Sequence, residues 1–289
     1  MGSQTQQERY KKLITFIDEH FKEEINIGKI EAVSHYSYRN INRIFQAIHQ
    51  ETIGKYIKRL RLEKSAQYLL YSQLPIADIA LEVGFEDRAA FSKAFKKRYG
   101  LSPAQFRSRE ELQLNDQRQE WSHFSDEKRE KLAFEIAYLP QFDYLFLEYR
   151  GDPLSSPEIE STWDKLYKYA IEESLIFEKS IPFMAIIDDE QISDQINSRY
   201  HCGISLEKPL NFVPEGLIRT STHQPQKYAK FIHQGSSESS LDFYNTVFAF
   251  WMEDVDLELA DLPVLEFYPN FSDGLPVDQL ITEVYIAVI

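Results

Sequence analysis

Two stretches of this chain follow one plan at a spacing of 50 residues. One runs from "IGKIEAVS" through His35–Tyr36 to "YRNINRIFQAIH", and the other from "IADIALEV" through Gly84–Phe85 to "RAAFSKAFKKRYG". Each reads as a short helix, a turn and a longer helix. Ser37 and Asp87 stand at matching N-cap positions, and Phe45 and Phe95 at matching apolar ones. Gly84 suits its turn because glycine reaches positive φ without strain. Between the two, "KYIKRLRLEKSAQYLLY" predicts a long connecting helix with Ile57, Leu60, Ala66, Leu69 and Leu70 inward. Ahead of both, Leu13, Phe16, Ile17 and Phe21 mark one face of a further helix. A helix-turn-helix unit used twice around a connecting helix accounts for all of these segments.

The second helix of such a unit has a specific use. An α-helix fits the major groove of B-DNA, about 12 Å wide, and its exposed side chains then reach base edges. In the first unit Ile41, Ile44, Phe45 and Ile48 form the inward face, which leaves Arg39, Asn42, Arg43 and Gln46 on another. In the second, Phe91, Ala94 and Phe95 turn inward and Arg88, Ser92, Lys93 and Lys96 point elsewhere. Arginine pairs with guanine and asparagine with adenine through two hydrogen bonds each. Two such helices read successive grooves one helical turn, about 34 Å, apart. Lys96, Lys97 and Arg98 read as phosphate-side or surface charge.

Charge divides the chain in the same way. Up to Arg109 there are 19 Lys and Arg against 12 Asp and Glu, a net of +7. The remainder has 13 against 34, a net of −21, and together they give the formal −14. A basic third suits a polyanion and the acidic remainder repels one. No apolar run is long enough to span a bilayer and the N-terminus has no signal-peptide pattern, so the expected location is the cytoplasm, with no membrane partner.

The phrases "FQAIHQETIGKYIKRLRLEKSAQYLL" and "PIADIALEVGFEDRAAFSKAFKKRYGLSPAQFR" resemble the AraC family of bacterial transcription regulators, over about Gln7–Arg107. The family pattern meets this chain at Ile79, Ala80, Gly84, Phe85, Phe91, Phe95–Lys96–Lys97, Gly100, Ser102–Pro103 and Arg107. The resemblance implies base-reading positions at Arg39, Asn42 and Arg43, and at Arg88, Ala89, Ser92 and Lys93. The first unit departs from the pattern. Glu31 stands where a small alanine is usual, Gln50 replaces a helix-ending glycine, and Arg39 sits where a large aromatic often does.

From Arg109 to Leu132 the chain is highly charged and reads as a linker, with Trp121 and Phe124 its only large aromatics. Beyond it the texture changes. "FEIAYLP", "DYLFLEYRG", a helix from Pro157, "PFMAIID" and "RYHCGISLE" form a strand–strand–helix–strand–strand series. "LIRTSTHQ", "KYAKFIHQG", "SSLDFYNTVFAFWME", "PVLEFYP" and "LITEVYIAVI" repeat it, with Gly151 and Gly235 at the same point 84 residues apart. Two joined halves leave a concave surface between them, a usual place for a small molecule. The expected architecture is therefore multidomain. An all-α double helix-turn-helix domain at 1–108 and a linker at 109–132 precede an α+β domain of two such repeats at 133–289.

One carboxylate stands out in the second half. Glu266 lies in the apolar run "LPVLEFYP", where burying a carboxylate is costly unless it is paired. Lining a cleft for a cationic ligand is one solution, and aromatic walls add about 0.5–2 kcal/mol each. Trp163, Tyr149, Tyr228, Trp251, Tyr268 and Tyr285 are the candidate walls. This half resembles the GyrI-like effector-binding domains through "FEIAYLP…YRGD", "YAKFIHQG…FYNTVFAFW" and "LPVLEFYP…VYIAVI". That resemblance implies a small, often apolar and cationic effector between the halves, its charge met by Glu266.

Other chemistry is not indicated. No nucleophile elbow, P-loop or dinucleotide motif is present, the seven histidines lack metal-ligand spacing, and the one cysteine, Cys202, excludes an internal disulfide. His201 and Cys202 are neighbours on a predicted strand and face opposite ways. The expected function is a DNA-binding transcription regulator, not an enzyme and without a cofactor. It reads a promoter site across two major grooves, senses a small effector, and has RNA polymerase as a further implied partner. Two alternatives stay open for the second domain, a hydrolase of small electrophiles and a docking module with no ligand.

Overall fold

A computed structural model describes residues 6–109, 132–152, 157–177, 180–188, 192–193, 198–236, 243–244, 246–247, 250–251, 257–270 and 275–289. The chain forms two compact units, Met1–Gln117 and Arg118–Ile289. Residues 110–131 of the expected 109–132 linker, with Trp121 and Phe124 among them, lie outside the described residues. Among the described residues no helix is long and apolar enough to cross a membrane, and no cluster of His, Cys, Asp and Glu is arranged to hold a metal.

The first unit is helical: α1 Gln6–His20, α2 Ile27–Ser34, α3 Tyr38–His49, α4 Ile53–Tyr71, α5 Ile76–Glu82, α6 Arg88–Tyr99, and α7 at 103–109. Thr52 caps α4 by accepting from Lys55 N, and Asp87 caps α6 by accepting from Ala89 N and Ala90 N. Ser37 holds the N-cap position of α3, but its hydroxyl makes no capping bond. Glu31 Oε1 accepts from Tyr38 N at 2.7 Å instead, so a carboxylate from α2 closes that end of α3.

The long helix α4 divides its contacts between two cores. Its N-terminal half supplies Ile53, Tyr56, Ile57 and Leu60 to a cluster with Leu13, Ile14, Ile17, Ile30, Ile41 and Phe45. Its C-terminal half buries Leu62, Ala66 and Leu69, while α5 and α6 bury Ile79, Ala80, Phe91, Ala94 and Phe95. Phe95 stacks edge-on against Phe106 of α7 at 5.3 Å. Ile48, expected inward, is 45% exposed, because the inward face of α3 ends at Phe45. Leu70 is only partly buried.

In the second unit β1 Glu135–Leu139, β2 Phe142–Arg150, α8 Pro157–Glu172, β3 Pro182–Ile186 and β4 Arg199–Ser205 form the first repeat. The second repeat is β5 Arg219–His223, β6 Gln226–Gln234, helical residues within 243–251 (α9), β7 Val264–Phe267 and β8 Ile281–Ala287. All strands join one antiparallel sheet in the order β1-β6-β8-β7-β3-β4-β2-β5. That order maps onto itself when the repeats are exchanged. Each repeat's first strand is traded to the other, since β1 pairs with β6 and β5 with β2. A two-fold pseudo-symmetry axis therefore passes between β3 and β7, where Met184 is opposite Glu266. These two residues are themselves equivalent, because β4 and β8, at Arg199 and Ile281, are offset by the same 82 residues.

Alternation gives the sheet two unlike faces. One carries α8 over Leu145, Tyr149, Met184, Tyr200, Cys202 and Ile204, and α9 over Ala229, Phe231, Val284 and Ile286. The other is largely aromatic, with Phe183, Phe267, Tyr228 and Tyr285 buried and Phe142 and Tyr144 against them. Cys202 and His201 do separate by face: Cys202 is fully buried under α8, and His201 stacks on Phe146 at 4.1 Å.

Candidate functional site

In the helical unit α3 and α6 present most of their polar side chains outward. Arg39, Arg43 and Gln46 are exposed on α3, and Arg88, Ala89, Lys93 and Lys96 on α6, with Ser92 half-buried. Asn42 is also half-buried, and its Oδ1 accepts from Ile53 N at 3.0 Å at the start of α4. Its carbonyl thus holds two helices together, which leaves its amide NH2 and one carbonyl lone pair for another partner.

Arg98 is not the surface charge the sequence suggests. Its Nη2 lies 2.8 Å from Glu63 Oε1, and Glu63 is almost fully buried on α4. Glu63 Oε2 in turn takes Arg59 Nη1 at 3.1 Å, and Arg59 Nη2 reaches Glu51 Oε1 at 2.8 Å. Burial opposes the Arg59 charge, but Glu63 and Glu51 outweigh it and raise its pKa. Arg61, on another side of α4, donates to the carbonyls of Phe21, Gly84 and Glu23 at 2.6 Å each.

In the second unit the rung of paired residues at the pseudo-axis reads Leu147, Cys202, Met184, Glu266, Val284, Phe231. Paired residues share a face, so this rung lies under the helices. Glu266 is its only polar member and is 7% exposed. Its two oxygens are held by two phenols. Tyr244 Oη of α9 donates to Oε1 at 2.6 Å, and Tyr268 Oη donates to Oε2 at 2.6 Å. Burial, then the Glu266 charge, lifts the Tyr268 hydroxyl well above its usual range, so it remains a donor. Trp163 of α8 meets the Tyr268 ring edge-on, with centroids 6.3 Å apart. Helices of both repeats thus reach the carboxylate or its partners.

The other candidate aromatics fall elsewhere. Tyr149 is under α8, with its hydroxyl donating to Asp152 O. Trp251 is packed in the second repeat's core and donates to Leu257 O. Tyr228 and Tyr285 do not line the Glu266 side, because alternation puts them on the opposite face of the sheet, where they pack edge-on at 5.8 Å. Burial pushes both hydroxyls up to about 12. Tyr244 is the residue that sequence reading missed. Its signal was helical position within "FYNTVFAFW", a run with too many aromatics to single one out.

Known protein families match separate parts of the chain. A helix-turn-helix domain model matches residues 31–109, and a model of the GyrI-like small molecule binding domain matches 132–289, more than half of the chain. Regulatory protein SoxS of Escherichia coli K12 is 34% identical over 97 residues, 34% of this chain and 91% of that protein. Transcriptional regulator Rob of Salmonella typhimurium is 30% identical over 136 residues, 47% of this chain and 43% of that protein. The EcmrR C-terminal domain covers 55% of this chain and 98% of its own length at 16% identity, with a TM-score of 0.44. The chain belongs to the GyrI-like small molecule binding domain family, and ahead of that domain it carries an AraC-type helix-turn-helix domain.

Proposed function

We propose that this protein is a sequence-specific, DNA-binding transcription regulator whose second domain takes a small apolar or cationic effector at Glu266. The observation that carries the effector reading is the single carboxylate in an otherwise apolar rung, buried at the pseudo-axis and held by two phenols. A buried charge of this kind is retained at a cost, and an incoming cation offsets that cost directly. Trp163 and Tyr268 add ring faces and edges beside it. For DNA, the support is the pair of helices with outward Arg39, Arg43, Arg88 and Lys93, together with relatives named as regulators. The promoter site spans two major grooves, and RNA polymerase is the further partner this reading implies. The relatives' names are those of regulators and give no support to a catalytic role.

The test uses the full chain and a lipophilic cationic dye followed by calorimetry. Glu266→Gln keeps the shape and removes the charge. It is expected to weaken dye binding about tenfold or more, roughly 1.4 kcal/mol. Unchanged affinity would sink the charge-matching role. For DNA, an Arg43→Ala and Lys93→Ala double variant is expected to lose operator affinity in a gel shift, and equal affinity would overturn the assignment.

A further inference from the structure

Two recognition helices on one chain raise a mechanical question: what fixes the distance between them? α4 supplies one half of its length to each core, so it is the beam between the two helix-turn-helix halves of the helical unit. At 19 residues it is about 28 Å long. A beam holds a spacing only if both ends are clamped to it. The ion-paired chain Glu51–Arg59–Glu63–Arg98 does this at the changeover between the two cores. Glu51 lies just beyond the C-terminal end of α3, Arg59 and Glu63 are one turn apart on α4, and Arg98 is in the last turn of α6. Arg59 and Glu63 are 6% and 4% exposed, so solvent does not screen their charges as it does those of a surface pair.

We propose that Glu63 and Arg98, acting through Arg59 and Glu51, are positioning residues that lock α6 to α3 and so set the half-site spacing the protein accepts on DNA. This rests on the DNA-binding reading above. Rigid linkage makes the second groove contact effectively intramolecular. Loosening the lock lowers that effective concentration without touching a base contact. The two-groove site should suffer, and each groove alone should not.

The experiment starts with a duplex of roughly 20 base pairs, two helical turns, enriched by the full-length wild type from a randomised library. Binding is measured on that duplex, on versions with one half or the other scrambled, and on versions with one base pair inserted or deleted between the halves. Arg98→Met keeps the apolar stem and leaves Glu63 paired with Arg59. It is expected to lose about fivefold or more on the intact duplex, to stay within about twofold of wild type on the scrambled ones, and to tolerate the altered spacing better than wild type. Arg98→Lys, which restores the charge, should recover most of the spacing preference. If Arg98 contacted phosphate instead, Arg98→Met would weaken every duplex alike and lower the salt slope by about 1, which overturns the lock.

Glu51→Gln provides a second variant at the partly exposed end of the network. It removes a negative charge, so electrostatics alone would tighten DNA binding, whereas the lock requires a weaker spacing preference. An unchanged spacing profile in folded Glu51→Gln, or in folded Arg98→Met, overturns the proposal. Failure of the wild type to enrich any duplex overturns the DNA-binding reading, and the lock with it.

Discussion

His201 is a histidine whose surroundings oppose its protonation. Its ring is stacked on Phe146, its Nδ1 is buried with no hydrogen-bond partner, and its Nε2 is 4.0 Å from Glu148 Oε2. Burial and then Arg219 depress its pKa from 6.5 to about 3. The unfolded chain therefore binds a proton below pH 6.5 that the folded domain refuses, and stability falls as pH is lowered, by up to about 1.4 kcal/mol per pH unit. Glu148 adds its own loss only nearer 4.5. Burial alone would raise its pKa, but Arg150, Arg219 and Arg199 outweigh that and hold it well below the carboxylate range. Between about pH 6.5 and 5 the carboxylate contribution is absent, but burial also lowers the pKa of His223 and His233, so the His201 part is the difference between wild type and a His201 variant. Thermal melts across this window should show the second domain losing stability as the pH drops, and His201→Phe should make the slope shallower, His223 and His233 supplying the rest. An unchanged slope in the variant would assign the acid sensitivity to other groups. A buried, paired carboxylate was legible at Glu266 because it interrupts an apolar strand. The face occupied by Tyr228 and Tyr285 was not legible. It depends on Glu266 pairing with Val284 and not with Tyr285, a register that the sequence does not state.

At the scale of elements, the two helix-turn-helix units reach similar geometry by different means. The second uses the local solutions, an Asp87 cap and glycines at Gly84 (φ 84°) and Gly100 (φ 76°). The first puts His35 (φ 53°) and Gln50 (φ 57°) into the left-handed region and borrows Glu31 as its cap. Positive φ costs a residue with a Cβ about 1–2 kcal/mol. Gln50 recovers part of that through Nε2 donating to Ala47 O, an exposed bond. Gln50→Gly is therefore expected to stabilise the helical unit by about 0.5–1 kcal/mol, after the entropy glycine adds to the unfolded chain. Gly84→Ala should destabilise it by more than about 2 kcal/mol, since the new Cβ would lie 2.3 Å from the Lys22 carbonyl oxygen. Chemical denaturation of both variants checks the pair, and a neutral Gly84→Ala would show that the turn relaxes freely. Helices and strands were legible from periodicity because burial follows it closely. The exchange of β1 and β5 between repeats was not, since pairing partners 73–95 residues apart leave no trace in local pattern.

For the whole molecule the salient quantity is charge: +7 up to Arg109 and −21 beyond it. The basic part lies within the compact unit Met1–Gln117, so it is expected to stand alone when the chain is cut after Arg109. The full protein carries the same DNA-reading helices together with a large negative charge. A polyanion approaching it is drawn to one region and repelled by another. Repulsion between exposed charges weakens beyond the Debye length, about 10 Å at 0.1 M salt and 3 Å at 1 M. The fragment is therefore expected to bind random-sequence duplex about tenfold more tightly than the full chain at roughly 50 mM salt, and its advantage should shrink as salt is raised. Its log affinity should also fall more steeply with log salt, because the full chain loses attraction and repulsion together. Salt-dependent fluorescence anisotropy on one labelled duplex measures both curves. If they coincide at low salt, the acidic residues exert no field where DNA binds. Discrimination between sites would then rest on the recognition helices and their spacing alone.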